Sequence, residues 1–514
     1  MEVSPPPTGL EAEYETLFTT DSLLFLHELI STFDEEIDQV LWLRQSRKTH
    51  LNLSEDLPSF LESTTHIRRD PAWRVQPVPP RLQRRHVDIG DMAPCDTQRF
   101  IKALQSPAQG IQVDFDDGNC PTYYNQVKGI HNVFRVVHNQ FPNVPHISQA
   151  PVLMLRPRAW NMVEHNMMVK GKEVPGPLFD FGLLMFHCGK ILFENKSGPF
   201  FYLSKVESFM EAGLWNKIFV WTQQKLGLPL GTGLNCGIWD YSASFVNKFG
   251  HRQAFLLPDR SKYVNMEKHF LRSYMDLLVQ TCHRRGALAT GGMAALLLPQ
   301  DPLSDSHRRV LATVTRLKLL EIKAGVDGFM VYDLNLTEPM QKLFQLHTES
   351  DNQLHQLRND VTVTPEDLLS MPSGGVTLYG LKYNIAVGVL FINAWLSGKG
   401  HFFFRGQVED SATAEISRSQ CSWQWIRHQT ELEDDSRVVN RHLVTDLTTE
   451  VRMDLFVFFR AKQILQTAAD MFLEVVLKRD FPEFITSYLN QDHTFLSSQN
   501  TGQVEALGKL HPTL

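Results

Sequence analysis

Two adjacent carboxylates, Glu409 and Asp410, stand at the start of a predicted helix in the stretch HFFFRGQVEDSATAEISRSQ, residues 401–420. The letters SATAEISR are typical of the first turns of a helix. An acid at this place can be a cap, because its carboxylate accepts hydrogen bonds from free backbone N–H groups and faces the positive end of the helix dipole. It can equally be a general base aimed into a cleft made by the rest of the chain. The local sequence leaves both interpretations open.

Charged side chains also follow several short apolar runs that we interpret as strands. Carboxylates that converge at one place would suit Mg²⁺, a hard ion that binds oxygen ligands. An arginine among them could bind a carboxylate substrate or stabilise a developing oxyanion. Each residue taken singly is more typical of strand-end solvation or an ordinary salt bridge, and only their convergence favours a site. These residues are Asp114, Asp116, Asp117, Arg156, Arg158, Lys205, Glu207 and Asp240.

An alternation of strands and helices must position these residues. It predicts a parallel sheet with helical crossovers, and strands that end in polar groups fit a (β/α) barrel, whose chemistry lies at the C-terminal ends of its strands. A standard barrel has eight strands, whereas only seven are recognisable here. The predicted strands are HVDIG (86–90), GIQVDFDD (110–117), PVLMLRPR (151–158), FFYLSKVE (200–207), GLNCGIWD (233–240), GALATGGM (286–293) and DGFMVYD (327–333).

Helical regions flank the predicted barrel. Residues 1–75 carry apolar residues at helical spacing in TDSLLFLHELISTFDEEIDQVLWLRQSRK, with Asp21 as the predicted N-cap. The Pro-rich, basic connector at 71–85 is the best candidate for a domain boundary. Near the C-terminus, YNIAVGVLFINAWLSG and MDLFVFFRAKQILQTAADMFLEVVL indicate helices, and 497–514 is predicted to be a loose tail. The predicted domains are 1–75, 76–385 and 386–514.

Composition argues against several classes of partner. The chain has 514 residues, of which 43% are hydrophobic and 21% charged, as in ordinary globular proteins. A net charge of −7 and the lack of a long basic run make nucleic acid an unexpected partner. The six cysteines form no C-x-x-C pair and favour free thiols over disulfides or a zinc site. No apolar run is predicted to reach the length needed to span a bilayer.

Longer motifs then indicate a family. The segments MLRPRAW, GPLFDFGLLMFH, GPFFYLSKVES, GLNCGIWDY, LPDR, TCHRRGALATGGMAA, AGVDGF and VEDSATAEISRSQCSWQW occur in the order seen in malate synthases of the shorter, A-type form. The chain resembles that family roughly from Leu24 to Phe481. The resemblance implies an α/β fold with an N-terminal helical clasp, a TIM (β/α)₈ barrel and a C-terminal helical plug. Malate synthases join acetyl-CoA to glyoxylate and then hydrolyse malyl-CoA to malate and CoA in the glyoxylate bypass.

The resemblance also implies roles for individual residues. Asp410 matches the general base that removes a methyl proton from acetyl-CoA, and Arg156 matches the arginine that stabilises the enolate. Asp240 matches one of two protein ligands of Mg²⁺, the implied cofactor, which would polarise the glyoxylate aldehyde. The backbone N–H groups of Cys236, Gly237 and Ile238 would hold the glyoxylate carboxylate.

The chain departs from its family between Thr232 and Gly233. In relatives, a segment like IKATVLIET…DEIL…LRDH lies there, and the Glu of LIET is the second Mg²⁺ ligand. Here LGLPLGT runs straight into GLNCGIWDY. Roughly 25–30 residues, about one strand–helix unit of a barrel, are absent, which explains the count of seven strands. We expect a gap or a re-registered sheet, because strand number, tilt and stagger are coupled in a barrel. Asp116 or Glu207 could replace the lost ligand in a rearranged barrel.

Two smaller departures concern the barrel mouth. The family's DFEDS is DFDDG here, with Asp116 replacing Glu, and its VAHPG is VYDLN at 331–335, which alters part of the acyl-CoA contact surface.

Two functional hypotheses follow. The chain is a malate synthase with Asp410, Arg156 and Asp240 in the family roles, or an impaired relative that at most binds CoA or a partner chain. The start, MEVSPPPTGLEAEYETLF, is typical of neither a secretory signal nor a transit peptide, and the end, GKLHPTL, lacks a Ser-Lys-Leu signal. We expect a peroxisomal or cytoplasmic location and neither a membrane nor a nucleic-acid partner, and the sequence leaves the oligomeric state open.

Overall fold

The computed structural model describes residues 1–227, 233–457, 462–478 and 482–500. Most of the predicted C-terminal tail, from residue 501 onward, lies outside the described residues.

A long helix dominates the N-terminal part, as the sequence predicted. It does not begin at Asp21: the N-cap is Thr19, whose hydroxyl accepts a hydrogen bond from the N–H of Ser22 at 3.2 Å. Thr19 has the extended backbone that an N-cap needs, whereas Asp21 lies inside the first turn, where its charge faces the helix dipole. The elements are β1 (Glu2–Val3), α1 (Glu11–Leu17), α2 (Thr20–Leu53) and α3 (Thr65–Arg69), with 3-10 turns at Glu62–Thr64 and Pro80–Leu82.

All seven predicted strands are present and pair in parallel in one curled sheet. Most of their residues are buried, and two of the strands end in a charged residue, at Asp114 and Arg156. Two further strands form a small antiparallel sheet with β1, in which the middle strand pairs with both others. The strands are β2 (Val87–Met92), β3 (Gly110–Asp114), β4 (Val152–Arg156), β5 (Val163–Val169), β6 (Lys172–Pro175), β7 (Phe200–Phe201), β8 (Gly233–Asn235), β9 (Leu288–Ala294) and β10 (Gly328–Val331); β5 and β6 form the small sheet.

The order of the large sheet is β7-β4-β3-β2-β10-β9-β8. The last strand, β10, pairs with the first, β2, as in a closed barrel. Within the described residues the ring of strands is open only between β7 and β8, the two strands on either side of the expected loss. The deletion therefore leaves a gap at the predicted place, and the remaining pairs keep the sequential order of a barrel.

Helices connect these strands and cover the outside of the sheet. Most bury one apolar face, as expected for helices that pack on a sheet. They are α4 (Thr97–Leu104), α5 (Tyr123–Val137), α6 (Gly176–Leu184), α7 (Lys190–Glu194), α8 (Phe209–Leu226), α9 (Ile238–Phe249), α10 (Arg260–Tyr263), α11 (His269–Arg285), α12 (Asp305–Ala324) and α13 (Thr337–His347), with a π-helical segment at Met185–Gly189 and 3-10 turns at Gln253–Phe255 and Leu334–Leu336.

The C-terminal part is built around α15, which is apolar along its whole length and buried on nearly all sides. It packs against α16, α17 and α18 and forms a second hydrophobic core. The elements are α14 (Pro365–Leu368), α15 (Leu378–Leu396), β11 (Phe402–Phe404), β12 (Gln407–Glu409), α16 (Ser411–Arg418), α17 (Arg441–Phe456), α18 (Lys462–Leu477), α19 (Ile485–Asn490) and α20 (His493–Ser497), with a π-helical segment at Ser419–Trp425.

The first hydrophobic core joins the N-terminal helix to the barrel. Buried residues of α2, such as Leu26 and Leu29, belong to the same cluster as the interior strands. The division into domains at residues 75 and 385 stays a prediction.

Two predictions made from composition can be compared with the structure. The prediction that no segment reaches a membrane-spanning length is wrong: the continuous helix Gly176–Glu194 is long and apolar enough, and 72% of it is buried inside the fold, as in the core helix of a globular protein. The five described cysteine side chains, those of Cys95, Cys120, Cys188, Cys236 and Cys282, are free thiols as predicted.

Candidate active site

Arg156 lies at the centre of the barrel mouth. It ends β4 directly opposite Asp114, which ends β3. Its Nη1 donates to Oδ2 of Asp114 at 3.1 Å, and its Nη2 contacts Asp116 at 3.3 Å and Asp117 more closely. The guanidinium is buried, yet these carboxylates raise its pKa well above the ordinary value. Its Nε–H is also buried and has no hydrogen-bond partner among the described residues, so one donor of a fixed cation remains free.

Lys205 is a second cation in the same cluster. Its Nζ donates to Oδ1 of Asp117 at 2.7 Å and also contacts Asp116. A left-handed backbone (φ 51°) at Lys205 turns its carbonyl toward Arg44, whose Nη2 donates to it at 3.0 Å. Lys205 was expected only as a strand-end charge, and its pairing with the carboxylates that follow β3 was not predicted from the sequence.

The carboxylates of this cluster have divergent pKa values. Burial and the charges of Asp117 and Asp116 raise the pKa of Asp114 to about 6, against the lowering effect of Arg156. Burial also acts to raise the pKa of Asp117, but Lys205 and Arg156 together hold it well below its ordinary value. Asp117 is therefore a fixed anion, while Asp114 titrates near neutrality.

Asp410 caps α16 and lies close to this cluster. Its Oδ1 accepts from the N–H of Thr413 at 3.1 Å, and the Thr413 hydroxyl accepts from the N–H of Asp410 at 3.0 Å, which completes a capping box. Burial and the charge of Asp117 raise the pKa of Asp410 to about 7, against the N–H of Thr413 and the charge of Arg156. The interpretation as a cap is therefore confirmed, and the general base stays a prediction with which the raised pKa is compatible.

Glu409, its neighbour, points into the C-terminal part. Oε1 of Glu409 accepts hydrogen bonds from the Tyr383 hydroxyl at 2.5 Å and from Nε2 of Gln407 at 2.6 Å. Arg260 lies 3.9 Å from its other oxygen. The side chains of the two adjacent acids therefore point to different places. That of Glu409 lies inside the C-terminal part, and that of Asp410 lies near the barrel mouth.

Three contacts between the C-terminal part and the barrel hold Asp410 in place. The hydroxyl of Ser411 donates to Oδ1 of Asp117. The ring of His401 contacts the Gly118 carbonyl through Nδ1 at 2.8 Å and the Tyr332 hydroxyl through Nε2 at 3.0 Å, and burial lowers its pKa to about 4, so it is neutral. At Gly400 the backbones approach so closely that a Cβ would lie 2.2 Å from the Asn119 backbone.

Asp91 is a site residue that the sequence analysis missed. It lies at the C-terminal end of β2, one residue beyond the predicted strand, with a left-handed backbone (φ 49°) and its N–H donated to Oε1 of Gln112 at 3.0 Å. Its carboxyl is buried, and its Oδ2 has no hydrogen-bond partner among the described residues. Burial and the nearby charge of Asp410 raise the pKa of Asp91 well above its ordinary value.

The N-terminal end of α9 also lines the barrel mouth. Asp240 lies in its first turn, and burial and the charge of Asp117 raise its pKa to about 6, against Lys205 and Arg156. The three predicted anion-binding N–H groups are not equivalent. The N–H of Cys236 donates to the Thr290 carbonyl at 2.8 Å inside the sheet, whereas Gly237 caps the helix and Ile238 begins it.

Two of the charged strand-end residues do not converge on the mouth. Arg158 turns into a buried ion pair with Asp180 and Glu164, at 2.8 and 2.9 Å. Glu207 binds Nζ of Lys248 at 2.7 Å. Neither contacts the Asp114–Asp117 cluster through a described hydrogen bond, and both fit the ordinary salt-bridge interpretation.

The carboxylates at the mouth do not fit a Mg²⁺ site. Asp116 and Asp117 each bind both Arg156 and Lys205, so their oxygens already face cations of the chain. In the part of the chain that the structure describes, no group of three or more His, Cys, Asp or Glu residues is arranged to hold a metal ion. Neither Asp116 nor Glu207 has moved to replace the expected second ligand.

Comparisons with known proteins agree with this architecture. Residues 152–232 and 231–371 match the family described as "Malate synthase, TIM barrel domain", in two segments that meet at the gap, and residues 375–492 match "Malate synthase, C-terminal". A malate synthase from Myxococcus xanthus (strain DK1622) is 37% identical over 461 residues, covering 83% of this chain and 84% of that protein. A glyoxysomal malate synthase from Glycine max is 34% identical over 468 residues, covering 83% and 82%. The solved Haloferax volcanii malate synthase magnesium/glyoxylate complex has a TM-score of 0.37 and 11% identity, covering 76% of this chain and 99% of that one.

Proposed function

This chain belongs to the malate synthase family, and we propose that it acts on acetyl-CoA and glyoxylate with Asp410 as the general base and Arg156 as the group that stabilises the enolate. The observation that carries the proposal is the position of Asp410. It is a buried carboxylate with a pKa raised to about 7, and it lies beside a fixed guanidinium at the mouth of the barrel.

The first step is removal of a methyl proton from acetyl-CoA. The C–H bond breaks, its proton passes to the free carboxylate oxygen of Asp410, and the electron pair moves to the thioester oxygen. The hydrogen bond from Thr413 holds the other oxygen, so the base has a fixed orientation. A carboxylate with a pKa near 7 is a better base than an exposed aspartate and is still partly ionised at neutral pH.

Arg156 would stabilise the negative charge that forms on the thioester oxygen. Its Nη1 and Nη2 groups are held by carboxylates, which fix the plane of the guanidinium. The buried Nε–H has no other partner among the described residues, and we propose that it turns toward the enolate when acetyl-CoA binds. A donor arranged in advance at the developing charge is the most effective kind of electrostatic catalysis.

The glyoxylate carboxylate would bind at the start of α9. The N–H groups of Gly237 and Ile238 belong to the first turn of a 12-residue helix, where backbone donors and the helix dipole favour an anion. The enolate carbon would then attack the glyoxylate aldehyde, and water would cleave malyl-CoA to malate and CoA.

Asp240 is the single family metal ligand that we propose for this chain. Mg²⁺ usually keeps several waters and needs one or two carboxylates together with substrate oxygens. Because the mouth does not otherwise fit the ion, we assign no step to it, and we expect slow turnover. For location we propose a peroxisome, because two plant relatives are named glyoxysomal, with the cytoplasm as the alternative.

A second candidate function is an impaired malate synthase-like protein that at most binds CoA or a partner chain. The open sheet and the pairing of Asp116 and Asp117 with Lys205 and Arg156 favour it. Two assays separate the candidates: exchange of acetyl-CoA methyl protons with solvent, and release of free CoA in the presence of glyoxylate. Exchange that depends on Asp410 supports the proposed base, and binding of acetyl-CoA without exchange or CoA release would select the second candidate.

A further inference from the structure

A slot lies between the two free edges of the barrel sheet. In the described part of the chain the strand order ends at β7 on one side and at β8 on the other, and a cavity of about 1470 Å³ is lined by residues of both strands. A pocket for a drug-sized ligand has about 300–1,000 Å³. This cavity is larger and continues from the barrel interior to the helices outside.

Each edge presents backbone groups to the slot. In a parallel strand, N–H and C=O groups of successive residues point alternately to the two sides. The N–H of Tyr202 donates to Leu155 of β4 at 2.8 Å, so the backbone of the preceding residue, Phe201, faces the slot. The N–H of Cys236 donates to Thr290 of β9, so the backbone of Asn235 faces the slot from the other side. Backbone N–H and C=O groups of both edge strands therefore face the same opening.

The side chains around the slot favour an uncharged occupant. Its lining contains six Arg and Lys residues and six Asp and Glu residues, so it carries no net excess of either sign. Apolar side chains line the interior and the outer wall, among them Met154, Phe219 and Phe245. Leu234 of β8 is 56% exposed there, although it stands in a strand of the barrel.

We propose that this slot accepts one extended, largely apolar polypeptide segment, supplied by another chain, as an eighth strand parallel to β7 and β8. A strand in this position would form hydrogen bonds with both edges and would bury Leu234, which neither a small apolar molecule nor a charged polymer would do. A complete barrel of this type has eight strands, and the seven described strands follow its sequential order with one strand lacking between β7 and β8. The inference concerns binding and stands independently of turnover.

A synthetic peptide tests the proposal directly. The fluorescein-labelled peptide IKATVLIET, the segment that the family resemblance implies at this point, is titrated with the full chain and followed by fluorescence anisotropy. We expect saturable binding. The matched peptide IKATPLIET differs by one residue, a proline in place of the valine. Because proline lacks the backbone N–H that would pair with an edge strand, we expect this peptide to bind at least tenfold more weakly. A scrambled peptide of the same composition serves as the second control. Equal binding of all three would overturn the proposal, as would no binding.

A substitution in the chain locates the site. Leu234→Arg places a charge in the slot, whereas Leu303→Arg introduces the same charge at a leucine that is 80% exposed and does not line the slot. We expect L234R to weaken IKATVLIET binding at least tenfold and L303R to leave it unchanged, with both variants folded by circular dichroism. Hydrogen exchange should show peptide-dependent protection at Phe201 and Asn235. Protection elsewhere, or equal effects of the two variants, would overturn the proposal. CoA release plays no part in these readouts, so a failed proposed function leaves their outcome unaffected.

Discussion

The hydroxyl of Ser411, at the start of α16, donates a hydrogen bond to the carboxylate of Asp117 at the barrel mouth. The same carboxylate binds Arg156 and Lys205. Because Asp410 directly precedes Ser411 in the chain, one anion fixes both the proposed base and the proposed enolate-stabilising cation. Enolisation therefore depends on how the C-terminal helices dock on the barrel as well as on the two groups themselves.

Replacing the proposed base should abolish enolisation without loss of binding. Asn caps helices as well as Asp does, so Asp410→Asn preserves the start of α16 and removes only the ability to accept a proton. We expect loss of acetyl-CoA methyl exchange and nearly unchanged acetyl-CoA affinity, measured by proton NMR in D₂O and by calorimetry. Asp410→Ala should in addition lose about 0.5–2 kcal/mol of stability with the cap. Wild-type exchange in the Asn variant would remove Asp410 from the mechanism.

The pH dependence of exchange should follow the ionisation of Asp410. Only the carboxylate can accept a proton, and its pKa is raised to about 7. The exchange rate should therefore rise with pH, reach half its maximum near pH 7 and level off above that value, measured with acetyl-CoA in buffers of constant ionic strength. A rate that is already constant from pH 5 upward would show that the base ionises like an exposed aspartate.

Stability should vary with pH in the opposite direction. Between the ordinary pKa of 3.8 and the folded value of about 7, the folded chain holds a proton on Asp410 that the unfolded chain has released. The free energy of unfolding contributed by this group therefore falls as pH rises through that window. Asp410→Asn should flatten the dependence in urea unfolding series. Asp114 and Asp240, whose pKa values are raised to about 6, retain part of the slope, and an unchanged slope would contradict the assignment.

Arg156→Lys tests the free Nε–H. Lysine keeps the positive charge among Asp114, Asp116 and Asp117 but cannot form several fixed bonds and one free donor at once. We expect methyl exchange to fall by at least tenfold while the chain stays folded. Arg158→Lys is the matched control, because Arg158 is equally buried but binds Asp180 and Glu164 instead. That variant should lower stability and leave exchange per folded molecule unchanged, and equal losses of exchange would contradict the role of Arg156.

The sequence predicted the seven strands and the gap well, for a local reason. Each strand lies within a short, mostly apolar run, and the missing unit changes chain length at one place without altering its neighbours. Arg156 and Asp410 could be expected near each other because the resemblance placed both at the barrel mouth.

The pairing of charges could not be predicted from the sequence. Arg156 and Arg158 are two residues apart, so a continuous strand would place both on one face. The strand ends at Arg156, however, and only Arg156 enters the mouth. Lys205 reaches Asp117 through a left-handed backbone at a non-glycine residue, and Asp91 faces Asp410 from a similarly unusual conformation. Such conformations depend on tertiary packing and leave no mark on the local pattern.

The open sheet should make unfolding less cooperative. Phe201 and Asn235 present unpaired backbone groups to the slot, and the edge strands β7 and β8 are only two and three residues long. We expect this chain to show a broader thermal transition and a smaller urea m-value than a chain in which the missing strand–helix unit is restored between Thr232 and Gly233. The measurement is calorimetry with matched urea titrations. A sharp two-state transition from a soluble monomer of the present chain would contradict the expectation.

Restoring the same unit should also reveal what the gap does to the chemistry. In the present chain, Asp116 and Asp117 bind Lys205 and Arg156, and Asp240 is the one metal ligand that we propose from the family resemblance. A second carboxylate from the restored strand would add a charged oxygen that no residue of the present mouth supplies. Because polarisation of a carbonyl by a metal contributes several kcal/mol, its loss should lower turnover by roughly 100-fold or more.

The assay for this prediction is CoA release from acetyl-CoA with glyoxylate and MgCl₂, on the present and the restored chain. Calorimetric titration with MgCl₂ gives a readout that does not depend on activity. We expect methyl exchange in both chains, because Asp410 and Arg156 are common to them, but strong Mg²⁺ binding and fast CoA release only in the restored one. Equal rates of CoA release in the two chains would show that the gap does not impair catalysis. Exchange confined to the restored chain would show instead that the gap also displaces the base, through the contact between Ser411 and Asp117.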